Sequence, residues 1–108
     1  MGRYITTTGT SGASIVEVSG AYTARVNDRI LANSSAGAFT ITLPANATLQ
    51  VGDTIQVIDV TGSFSTNNVT LARNGSEIQN LTEDLDLNLQ NATVTIMYSG
   101  ATYGWILI

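Results

Sequence analysis

The chain has no cysteine and no histidine, no lysine, and a single proline. Without cysteine there are no disulfides and no thiolate metal sites, and the fold does not depend on an oxidising compartment. Without histidine, cysteine and lysine, the usual general bases and nucleophiles are missing. The chemistry left open is a pair of carboxylates, as in glycoside hydrolysis. Glu83, Asp84 and Asp86 are the candidates, with Asp53, Asp59 or Glu77 as distant partners. Asp84 and Asp86 would project from one strand face about 7 Å apart. They alternate with leucines that point the other way, and a solvated strand face has that pattern. No catalytic residue is assigned, and an enzyme is not expected. The acidic strip lacks the Asp-rich loop with its glycine that calcium requires. Gly9-Thr10-Ser11-Gly12 is followed by neither a helix nor a lysine, as a phosphate loop would be. No metal or other cofactor is expected.

Charge is scarce as well. Only 11% of the residues are ionisable acids or bases, against roughly 25% in an ordinary domain. Four cations, Arg3, Arg25, Arg29 and Arg73, face eight acids, for a net charge of −4. Attraction to phosphate backbones is absent, so nucleic acid is excluded as a partner. No stretch approaches the ~18 apolar residues of a membrane-spanning helix, so no membrane partner is expected. Met1 to Ile5 run into Thr6-Thr7-Thr8 without the apolar segment of a signal peptide, which predicts assembly in a cytoplasm. Hydrophobic residues nevertheless reach 44% of 108, and a domain of that size buries only roughly 65% of the surface its unfolded chain exposes. A weakly charged surface rich in apolar groups associates unless its contacts are specified. The composition therefore predicts a surface largely covered by neighbouring chains.

What is present favours strands. Threonine and valine are abundant, and no window carries a helical apolar period. Residues 84–90 alternate strictly, with Leu85, Leu87 and Leu89 on one face. Residues 39–43 repeat the pattern and stop at Pro44, which cannot donate to a ladder. Residues 93–98 repeat it again, with Val94, Ile96 and Tyr98 on one face. Less regular strands are expected at 14–18, 29–32, 53–60, 69–73 and 102–108. At Val57-Ile58 the alternation slips, which predicts a bulge or a strand buried on both faces. Turn residues separate these runs at 34–37, 51–53, 74–75 and 99–101. Short strands at such spacing predict an all-β fold, a small antiparallel β-sandwich or barrel-like module over residues 13–108. The Thr/Gly/Ser-rich residues 1–12 form an extended N-terminal arm. Six Asn-X-Ser/Thr triplets, at Asn33, Asn46, Asn68, Asn74, Asn80 and Asn91, read as turn punctuation rather than glycosylation sites.

Aromatic side chains are few. Phe64, in a polar loop, and Tyr103 are the candidate exposed ligand contacts. Trp105, in an apolar terminal strand, is expected to serve the core or a subunit contact.

A succession of stretches together resembles a known group of proteins. Asn27-Asp28-Arg29-Ile30-Leu31, then Gly37 to Pro44, then Val51-Gly52-Asp53-Thr54-Ile55 succeed one another. After them come Ser65 to Leu71, the Asn74-Gly75 turn, and Val94 to Tyr98 before Trp105. Over residues 20–108 the order resembles a β-rich module of bacteriophage tail-fibre and virion structural proteins. The resemblance implies a non-enzymatic component of the virion, assembled in the host bacterial cytoplasm, in which such modules commonly form homotrimers. Being a lone module with a short arm, the chain suits a head-decoration (cement) protein or a short fibre or appendage. Its partners would then be itself and other virion proteins of capsid or tail. Arg3, Tyr4, Ile5, Thr6, Thr7 and Thr8 are the candidate docking arm. Leu85, Leu87, Leu89, Trp105, Ile106 and Ile108 are the candidate subunit contacts. The alternative is a receptor- or carbohydrate-binding module of a phage tail that engages a host surface glycan.

Overall fold

The computed structural model describes residues 14–108. The arm of residues 1–12, with its candidate docking residues Arg3 to Thr8, lies outside the described residues. The remainder is all-β, as its alternation predicts. The strands are β1 (Ser14–Val18), β2 (Tyr22–Thr23), β3 (Asp28–Ala32), β4 (Phe39–Thr42) and β5 (Thr54–Asp59), followed by β6 (Val69–Ala72), β7 (Leu85–Leu87), β8 (Thr93–Tyr98) and β9 (Trp105–Leu107). One 3-10 turn, Asn46–Thr48, follows Pro44.

Two sheets form, ordered β1-β3-β5-β8-β9 and β2-β4-β6-β7. The expected antiparallel pairing holds only for the C-terminal half, in the pairs β5–β8, β8–β9 and β6–β7. The pairs β1–β3, β3–β5, β2–β4 and β4–β6 are parallel, so both sheets are mixed. The cause is a winding path. From β1 to β6 the chain gives one strand to the first sheet and the next to the second, then returns in the same direction. Turn residues such as Ser34 to Gly37, where Gly37 N–H donates to the Ser34 carbonyl, carry the chain between sheets. They do not fold it back into hairpins.

Parallel stacking brings like residues into register. Val16, Ile30, Val57 and Val94 form a row across the inner face of the first sheet. Tyr22, Ile41, Leu71 and Leu85 form its counterpart on the second, beside Phe39, Val69 and Leu87. These rows meet in one apolar core, where Ile30, Ile41, Ile55, Val57, Leu71, Ile96 and Trp105 are wholly buried. Ladders of β-branched side chains pack well on a pleated surface, which is why valine, isoleucine and threonine dominate these strands. No bulge interrupts β5 at Val57-Ile58: the register with β8 runs unbroken from Thr54 to Ile58. Ile58 simply points outward, half-buried, while Asp59 points in.

Asparagine sets several corners. Asn27, Asn74, Asn80 and Asn91 adopt positive φ, which their short polar side chains tolerate better than most. Three of the Asn-X-Ser/Thr triplets thus sit at left-handed turns. Gly104 is the tightest point. It has φ of +69°, and a Cβ there would stand 2.2 Å from the Glu77 carbonyl oxygen. The neighbouring Trp105 N–H donates to that carbonyl at 2.7 Å. Only glycine lets the last strand lie so close to residues 77–81.

Candidate interaction surface

β7 ends the second sheet, while β8 and β9 end the first. Residues of β7, the β7–β8 connection, β8 and β9 line a groove of about 400 Å³. Its apolar lining comes from Leu85, Leu87 and Leu89 on one side and Ala92, Val94 and Leu107 on the other. Leu87 is buried at its floor and Leu85 is half-buried. At the rim, Leu89 is 70% exposed and Leu107 43%. Exposed leucines gathered around an apolar cleft are informative where scattered ones are not.

The six candidate subunit contacts therefore divide. Leu87 and Trp105 are used by the single chain's own core. Trp105 is wholly buried and meets Tyr98 edge to face, with ring centroids 5.6 Å apart. Leu85, Leu89, Ile106 and Ile108 keep accessible surface.

Phe64 is not the exposed ligand contact its polar loop suggests, because it is wholly buried. Asp59 is the reason. Its Oδ1 accepts the Ser63 N–H at 3.0 Å, and its Oδ2 accepts the Phe64 N–H at 3.1 Å and the Asn91 N–H at 2.9 Å. Asn67 Nδ2 donates to the Ser34 carbonyl at 2.9 Å from the far side of the loop. The loop is folded inward and carries the ring into the core. Burial by itself would raise the Asp59 pKa, but the N–H groups of Phe64, Asn91, Ser63 and Gly62 outweigh it and hold the carboxyl below its ordinary value. Tyr103, by contrast, is 58% exposed.

Most of the other carboxylates considered for hydrolysis are engaged locally. Asp84 accepts the Arg73 N–H at 3.0 Å, Asp86 accepts the Thr70 hydroxyl at 3.0 Å, and Asp53 accepts the Gln50 N–H at 2.8 Å. At the opposite end of the molecule Asp28 takes the Tyr22 hydroxyl at 2.8 Å and the Arg25 N–H at 2.9 Å. Burial, followed by the hydrogen bond to Asp28, raises the Tyr22 pKa. These bonds fix turns and strand pairs, and what the geometry gathers at the surface is apolar. Comparison with known protein families finds no matching model, and comparison with curated proteins finds no match.

Proposed function

We propose that this chain is a non-enzymatic bacteriophage virion structural protein. It acts as a homotrimeric head-decoration (cement) protein or short fibre or appendage, docked to the capsid or tail. The observation that carries the reading is the apolar groove rimmed by Leu89 and Leu107 in a chain with so few ionised groups. Such a rim loses little hydration when another protein covers it. Residues 3–8 are the docking arm of this reading.

The second reading, a receptor- or carbohydrate-binding module of a phage tail, keeps Tyr103 as its exposed aromatic platform but not Phe64. Light scattering on the purified full chain tests the first. A mass of three chains at micromolar concentration is expected, and a monodisperse single chain would refute it.

A further inference from the structure

The outward faces of the two sheets differ in kind. On the second sheet, register places Thr23, Thr40, Thr42, Thr70, Ala72 and Asp86 outward. That is a face made for water, and Thr70 and Asp86 bond each other across it. On the first sheet the outward set includes Ile15, Leu31, Ile58, Met97, Ile106 and Ile108. None of this second set belongs to the apolar core or packs against it: Ile15 and Ile108 are exposed and the other four are half-buried. We propose that the outer face of the first sheet is the surface on which copies of this chain associate. The inference rests on the self-association proposed above and names its surface.

Three features favour copies of the chain as the occupant. The first is charge. The face holds one acid, Glu17, and one base, Arg29, on the adjacent strands β1 and β3. It is neutral, whereas the chain carries −4, so the excess acid lies elsewhere. A face with no net charge meets a copy of the chain without net repulsion. A partner of strongly acidic or basic character would instead be met by a patch of one sign.

The second is the cost of drying the face. At its centre, Gln56 Nε2 donates to Thr95 Oγ1 at 2.9 Å. These polar groups satisfy each other, so covering them strands few unpaired donors.

The third is extent. Ile106 and Ile108 belong to this face, while Leu107 between them points to the groove, so the two surfaces join over β9. Together they offer about twenty residues, the lower end of what each side of a stable interface contributes.

The test places a charge on each face in turn and reads the native mass of the full chain. Ile58→Glu and Ile15→Glu are the interface variants. Ile15 is 70% exposed on an edge strand, so its substitution leaves the core intact even where Ile58→Glu impairs folding. Thr40→Glu, on the outer face of the second sheet, is the control. The expected result is association weakened by at least about 100-fold in the interface variants, with the control unchanged and the β-sheet circular dichroism of Ile15→Glu retained. An assembly whose mass both interface variants preserve would overturn the choice of face and leave self-association standing. A wild-type chain that is itself a single copy would overturn both.

Discussion

Asp59→Asn isolates the most heavily used side chain in the fold. The carboxylate is 5% exposed and accepts three backbone N–H groups, from Ser63, Phe64 and Asn91. Asparagine has nearly the same shape but turns one acceptor into a donor that faces an N–H. Hydrogen bonds to a charged group contribute about 1.5–3 kcal/mol each. Losing one outright and weakening the others predicts a destabilisation of about 3 kcal/mol. For a chain of 108 residues that is a fall in Tm of about 12 °C, near 4 °C for each kcal/mol.

The control is Asp53→Asn, whose single bond to the Gln50 N–H lies in an accessible turn; it should cost less than about 1 kcal/mol. The effect also has a signed pH dependence. Because the folded pKa of Asp59 is depressed, its contribution is complete above the ordinary aspartate value of about 4 and is lost as pH falls through the folded value. The gap in Tm between wild type and Asp59→Asn should therefore be widest near neutrality and close progressively in acid. Thermal melts followed by circular dichroism at pH 7 and pH 3 read both effects. A loss no greater than that of Asp53→Asn, or a gap that widens in acid, would refute the assignment.

Gly104→Ala should be among the most damaging single substitutions, since its methyl group meets backbone at 2.2 Å and φ is positive. A cost above about 3 kcal/mol is expected, read as lost soluble yield, whereas Gly20→Ala, with nothing within 4 Å, should be nearly silent. Phe64→Ala should remove about 3–5 kcal/mol of stability in chemical denaturation and leave any glycan binding to the folded fraction unchanged. Weaker glycan binding at full stability would instead restore Phe64 as a surface contact.

The strands were legible because alternation depends only on which face of each segment is buried. Among the described residues, eight of the nine were anticipated within a few residues; β2, only two residues long, carries too little pattern to see, and β7 ends earlier than its leucines suggest. Leu89 continues the alternation of Leu85 and Leu87 yet lies beyond the strand, at the groove rim. Pairing direction was not legible. Alternation is the same in parallel and antiparallel ladders, and turn residues do not reveal whether a connection folds back or crosses to the other sheet.

The position of Phe64 was hidden by its neighbours. A run of Ser, Thr and Asn reads as a solvated tip, and only the buried carboxylate of Asp59, an aspartate in phase with the inward Ile55 and Val57, could have indicated a loop drawn inward. The slip at Val57-Ile58 was a true signal with a different meaning. It marks an outward isoleucine on an apolar sheet face, and the surface named above grows from that residue and its neighbours.

The most direct measurement of whether that face is covered uses the absence of cysteine. Single thiols introduced as Gln56→Cys, at the centre of the first sheet's outer face, and as Thr40→Cys, on the second sheet's, can be labelled with a maleimide over a range of protein concentrations. The account predicts that the thiol at position 56 reacts slowly at micromolar protein and quickens on dilution as copies separate, while the thiol at position 40 reacts at one rate throughout. A rate at position 56 that does not change with protein concentration would contradict it.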